Sequence, residues 1–197
     1  QNLLAKLTVR LETSGIKLKL LLGMENHLDL DLPKDLSTGR ALSINGSRYA
    51  LVELPFHGYP VDAMDILNQI QTQGVTPILA HPERIEAIQS DTHLLDDFVK
   101  TGMLSQITAG SLTGHFGNKV RRVTYDLIGK SLVHIIASDT HSAEGPRSPT
   151  LNQGLKVASG IVGYERAVAM VLDTPKAILD DLPLEIVLEN LNKAHCR

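Results

Sequence analysis

TPILAHPER, residues 76–84, is an apolar run that ends in a histidine, a proline and an arginine. Thr76–Ala80 lacks the apolar/polar alternation of a half-exposed strand, so it reads as a strand buried on both faces, the habit of parallel sheets. His81 and Arg84 follow directly, and side chains just beyond a parallel strand gather at its C-terminal end, where α/β sites are built. Four further short apolar runs read the same way: Leu18–Leu22, Tyr49–Leu54, Leu104–Ala109 and Leu132–Ala137.

Helical stretches separate these strands. Asp62–Gln73 places Ala63, Ile66, Leu67 and Ile70 on one face and stops at Gly74. His93–Thr101 stops at Gly102, and Asn118–Lys130 carries Val120, Val123, Leu127 and Ile128 at helical spacing. Helices are expected near Leu151–Gly160, over Tyr164–Leu172, and from Thr174-Pro175, where proline suits the first turn. Strand–helix alternation points to a parallel α/β fold in one domain over residues 1–197. An open doubly wound sheet fits the alternation as well; the placement of polar residues at strand ends favours a barrel. The chain opens at Gln1 inside a helical run of Leu3, Leu4, Leu7 and Leu11 that ends at Ser14-Gly15, so residues upstream are expected.

Composition narrows the function classes. Lys and Arg number 19 against 22 Asp and Glu, a net charge of −3, which leaves no electrostatic footprint for nucleic acid or for an anionic membrane surface. No apolar stretch reaches the ~18 residues of a transmembrane helix, and no signal peptide is visible. Cys196 is the one cysteine, so an internal disulfide is impossible and a reducing, cytoplasmic setting is expected.

Four of the five expected strands end in a side chain that binds metals or moves protons: Glu25 after LKLLLG, Glu53 in YALVELPF, His81 in TPILAHPER, and Asp139 with His141 in LVHIIASDTH. Each has an alternative reading. Glu25 also reads as an exposed loop residue, His81 as a histidine opening a helix, Asp139 as an N-cap. Glu53 is harder to set aside, because a carboxylate inside an apolar run needs a partner or a metal. Together these residues offer oxygen and nitrogen donors without thiolate, which suits Mn, Fe or Zn and disfavours a structural zinc site. Such ions activate water and neutralise charge on a phosphoryl group. Arg84 adds a planar, permanently charged fork that matches phosphate oxygens, or else a surface salt bridge. QITAGSLTGHFGNK, residues 106–119, reads as a tight strand-to-helix turn that can also offer backbone amides to an anion, without a P-loop pattern. His115 reads as a solvated loop residue and His134 as a core histidine; His27, His57, His93 and His195 receive no role.

Taken in order, LVELPF, PILAHPERI, QITAGSLTGHFG and HIIASDTHS resemble the bacterial tyrosine-protein phosphatases of capsular polysaccharide synthesis, within the PHP (polymerase and histidinol phosphatase) superfamily. The resemblance runs from Leu20 to Leu182. It implies a distorted, TIM-like βα barrel holding three metals, with manganese the usual ion. Glu25 in GMEN matches a bridging ligand; Glu53, His81, Asp139 and His141 match further metal ligands. Arg84 matches the phosphate-binding arginine of HPER, and Arg147 a second arginine beyond SDxH, after a loop one residue longer than the family's. The implied substrate is phosphotyrosine on the bacterial tyrosine kinase that controls capsule or exopolysaccharide export.

One departure stands out. The family begins with a His-x-His strand, an acidic ligand after it and a further histidine; no histidine precedes Gly23 here. The first strands are therefore expected upstream of Gln1; a chain truly lacking them would expose sheet edges and bind metal weakly. The expected activity is hydrolysis of a phosphomonoester without a covalent nucleophile, since Cys196 sits in no cysteine-phosphatase signature. The alternatives are a PHP phosphoesterase for a small metabolite such as histidinol phosphate, and a non-catalytic remnant.

Overall fold

The computed structural model describes residues 2–145 and 147–193. Its centre is one sheet of five parallel strands in the order β1-β2-β3-β4-β5: β1 (Glu25–His27), β2 (Tyr49–Glu53), β3 (Thr76–Ala80), β4 (Leu104–Thr108) and β5 (Ile135–Ala137). Helices link them. α1 (Asn2–Thr13) precedes the sheet, α2 (Leu32–Thr38) follows β1, and α3 (Ala63–Thr72) joins β2 to β3. A 3-10 turn (Pro82–Arg84), α4 (Glu86–Ser90) and α5 (His93–Lys100) join β3 to β4; α6 (Ala109–Thr113) and α7 (Asn118–Gly129) join β4 to β5. Beyond β5 come α8 (Leu151–Val162), α9 (Tyr164–Val168), a π-helical turn (Ala169–Asp173), α10 (Thr174–Leu179) and α11 (Leu184–Lys193).

Strictly consecutive order, without the reversal that defines a doubly wound sheet, is the order of strands in a βα barrel. Among the described residues β1 and β5 each have a single strand partner. The two faces of the sheet are both covered. Val52, Leu79, Ile107 and Ile136 pack outward against α3, α5 and α7 in the larger core. Tyr49, Ile78, Leu104 and Ile135 pack on the opposite face against Ala177, Ile178 and Val187 of α10 and α11. This is why the strands read as unbroken apolar runs. The second cluster fills the sheet near the strand starts. Glu53 shares the face of Tyr49, one strand repeat beyond Leu51, so the same face turns polar at the strand end.

One expected strand is corrected. Leu18–Leu22 forms no ladder; the first strand is the short Glu25–His27, so Glu25 opens a strand rather than following one. An apolar run becomes a strand only when a neighbour takes up its backbone groups, and here the Leu22 carbonyl instead accepts the Asn45 amide at 2.7 Å. The buried Asn26 ties β1 down, its Nδ2 within 3.1 Å of the Leu42 carbonyl and 2.9 Å of the Leu51 carbonyl. The other strands and helices form within a few residues of their expected limits. The stretch Tyr164–Leu172 divides into α9 and the π-helical turn.

Candidate metal centre

Parallel pairing brings the ends of β1, β2 and β3 side by side: the register places His27 opposite Glu53, and Leu51 opposite both Glu25 and Ile78. Glu25, Glu53 and His81 thereby converge. His81 Nε2 lies 3.0 Å from Glu25 Oε1 and 3.2 Å from Glu53 Oε1. Ligand atoms of the three side chains all fall within 4.8 Å of one another. The second oxygen of Glu53 pairs with His27 Nδ1 at 2.8 Å. His81 itself is buried and sits in the left-handed region, φ 33° and ψ 54°, a conformation that costs a non-glycine residue about 1–3 kcal/mol and is concentrated at functional sites. Its amide donates to the Gln106 carbonyl at 2.7 Å.

The group suits a divalent cation. Two carboxylate oxygens converge on His81 Nε2, whose N–H bonds to them in one tautomer; in the other tautomer the bare nitrogen and the two carboxylates present lone pairs that a cation would gather. The donors are oxygen and nitrogen only, the set that suits a borderline divalent ion.

A second cluster adjoins the first. Arg84 carries its guanidinium between two aromatic rings, 4.5 Å from the Phe56 centroid and 4.6 Å from that of Phe116. Phe56 also stacks on His81, centroids 5.3 Å apart. Arg84 Nη1 lies 3.6 Å from Asp139 Oδ2, and Arg147 Nη2 donates to the same oxygen at 2.8 Å. Asp139 is also left-handed, φ 49°. His141 Nδ1 lies 2.9 Å from the Asp139 carbonyl oxygen, and the His141 amide donates to the Arg147 carbonyl at 3.0 Å, which closes the SDTH loop. So of the expected metal ligands, Glu25, Glu53 and His81 form one group. Asp139 and His141 stand apart from it, with Asp139 held by the two arginines expected to bind phosphate.

Three features went unread in the sequence. His27, given no role, buttresses Glu53. Phe56 and Phe116 clamp Arg84; nothing in their spacing signals it, because they come from different loops. Glu83, passed over inside HPER, is fully buried, and its Oε1 accepts the Thr108 amide at 3.0 Å and the Ser111 hydroxyl at 2.6 Å. Burial pushes its carboxyl above the usual carboxylate range, against the pull of those hydrogen bonds. The group met by the Thr108 amide is thus the protein's own carboxyl. His134 is a core histidine as expected: Ser105 N–H donates to its Nδ1 at 3.1 Å, and burial, helped by the charge of Arg166, lowers its pKa to about 4. His57 pairs with Glu86 at 3.0 Å. His195 and Cys196 lie outside the described residues.

Comparison with known proteins identifies relatives of the chain. The family model for capsular polysaccharide synthesis, CpsB/CapC, matches residues 1–180. The chain is 39% identical over 131 residues to the putative tyrosine-protein phosphatase CapC of Staphylococcus aureus, covering 66% of this chain and 51% of that protein. It is 36% identical over 139 residues to the tyrosine-protein phosphatase YwqE of Bacillus subtilis, covering 71% and 55%. The chain thus spans about half the length of these relatives. A solved structure from work on YwqE of Bacillus subtilis and CpsB of Streptococcus pneumoniae, described as unique metal-dependent tyrosine phosphatases, superposes with a TM-score of 0.87 at 31% identity, covering 91% of this chain and 72% of that one.

Proposed function

The chain belongs to the capsular polysaccharide synthesis CpsB/CapC family, and from that premise we propose that it is a metal-dependent protein-tyrosine phosphatase. Its substrate in this reading is phosphotyrosine on a bacterial tyrosine kinase of capsule or exopolysaccharide synthesis. In this reading it acts in the cytoplasm, and residues 1–197 belong to one PHP-type domain. The observation that carries the reading is the meeting of Glu25, Glu53 and His81 beside the Arg84–Asp139–Arg147 cluster. Cation donors next to guanidinium groups suit metal-assisted phosphomonoester hydrolysis.

Glu25, Glu53 and His81 would hold a divalent cation, manganese in this reading with iron or zinc as alternatives; Asp139 and His141, the other ligands the resemblance implies, lie outside this group. Such an ion supplies Lewis acidity that lowers the pKa of water and draws charge from phosphoryl oxygens. The protein's own groups do the rest. His27 holds Oε2 of Glu53 and leaves Oε1 to face His81. Arg84 presents its fork to phosphate oxygens, and the two flanking rings fix its plane, so little side-chain entropy remains to be lost on binding. Asp139 compensates both arginine charges until a phosphate dianion competes for them.

The test is phosphate release from a phosphotyrosyl peptide with manganese present. Glu53→Gln and His81→Ala are each expected to abolish turnover with the fold retained by circular dichroism. Full activity in either variant removes the reading. A strong preference for small esters such as histidinol phosphate over the peptide would move the substrate and leave the chemistry.

A further inference from the structure

Glu83 lies between His81 and Arg84 in sequence, yet its side chain points away from both functional clusters into the protein. It is fully buried, and its Oε1 takes the Thr108 amide and the Ser111 hydroxyl. Both donors belong to the following βα unit: Thr108 is the last residue of β4, and Ser111 lies in α6. A carboxyl group is costly to bury, and the hydrogen bonds that offset the cost also fix its surroundings. What they fix is a strained turn. His81 is left-handed, and besides the Glu83 side chain the turn's backbone is held by the His81 amide on Gln106 and by Gln89 Nε2 on the Glu83 carbonyl at 3.0 Å. The α6 corner that Glu83 grips also leads, through Gly114, to Phe116, one of the two rings around Arg84.

We propose that Glu83 is a positioning residue for both clusters: by bonding to Thr108 and Ser111 it holds the 81–84 turn so that His81 reaches Glu25 and Glu53 while Arg84 stays between Phe56 and Phe116. Glu83 touches neither cation nor substrate. The inference rests on the reading of Glu25, Glu53 and His81 as cation ligands. Glutamine at this position keeps an oxygen that accepts both hydrogen bonds; alanine keeps none.

The experiment is isothermal titration of the full chain with manganese chloride, with urea unfolding midpoints measured in parallel. Glu83→Gln is expected within threefold of wild-type affinity, and Glu83→Ala weaker by about tenfold or more, the scale on which lost support of a ligand is felt. Ile178→Val, a buried change in α10 within the other core cluster, serves as a control that lowers the midpoint without changing manganese affinity. Should Glu83→Ala fail to fold, Ser111→Ala, which removes one bond of the two, is expected to bind about threefold more weakly. Wild-type affinity in folded Glu83→Ala or Ser111→Ala overturns the inference, as does a Glu83→Gln loss equal to that of Glu83→Ala. A wild-type chain that binds neither manganese, iron nor zinc overturns the cation reading itself, and the inference with it.

Discussion

Replacing Glu53 by glutamine should strip most of the stabilisation that a divalent cation confers. Glu25 and Glu53 place carboxylate oxygens within 4.8 Å of each other. Two unit charges at that separation repel by about 3 kcal/mol at an effective dielectric of 20. Glu25 is about a third exposed, with 35% of its side chain accessible, and solvent screening reduces the repulsion to about 1–3 kcal/mol. A cation relieves this repulsion, and glutamine removes it beforehand. The affinity should therefore fall by about ten- to a hundredfold, at 1.4 kcal/mol per decade. With manganese at a hundred times the wild-type Kd, the wild-type fold gains about 2.7 kcal/mol, a rise in Tm of roughly 5–11 °C for a chain of this size. The variant at the same concentration should gain about 0.4–1.4 kcal/mol and rise by half of that or less. Differential scanning fluorimetry with and without EDTA reads both. A Glu53→Gln chain that keeps the full metal-dependent rise would refute the assignment of Glu53 as a ligand.

Two further outcomes are expected. Arg84→Lys keeps the charge but loses the planar fork between Phe56 and Phe116, so kcat/KM for phosphotyrosyl peptide should fall by at least about a hundredfold with the metal-dependent rise in Tm unchanged; equal activity would assign Arg84 to structure. His134 has its pKa lowered from 6.5 to about 4 in the fold by burial and by Arg166, so below pH 6.5 the unfolded chain takes up a proton that the folded one refuses. That neutral histidine leaves stability intact above pH 6.5, and about 2–3 kcal/mol should be lost between pH 7 and pH 4.5. Urea midpoints of His134→Gln, whose amide oxygen can still accept from Ser105, should show a shallower acid-side decline; an identical decline would place the titrating group elsewhere.

Particular residues show how far the sequence could be read. Thr76–Ala80 is legible because burial on both faces demands an unbroken apolar run, and Asp62–Gln73 because its apolar residues recur at the helical period. Leu18–Leu22 has the same composition as a strand and misleads, since composition carries no information on whether a neighbour is present to pair with it. Glu53 stood out inside its apolar run because a buried carboxylate demands an explanation, whereas Glu83, flanked by proline and arginine, offered no such contrast.

By itself the amino-acid order determined the parallel α/β architecture, the place of Glu53 and His81 at the ends of their strands, and the family to which HPER and SDTH point. Those are matters of local period and of which groups tolerate burial. Only the tertiary structure decided that Glu25 and Glu53 share His81, that Asp139 is held by Arg84 and Arg147 rather than beside the other donors, and that Glu83 faces inward. The contacts behind these join residues 8 to 56 positions apart in the chain, are set by strand register and loop packing, and are encoded by no local pattern.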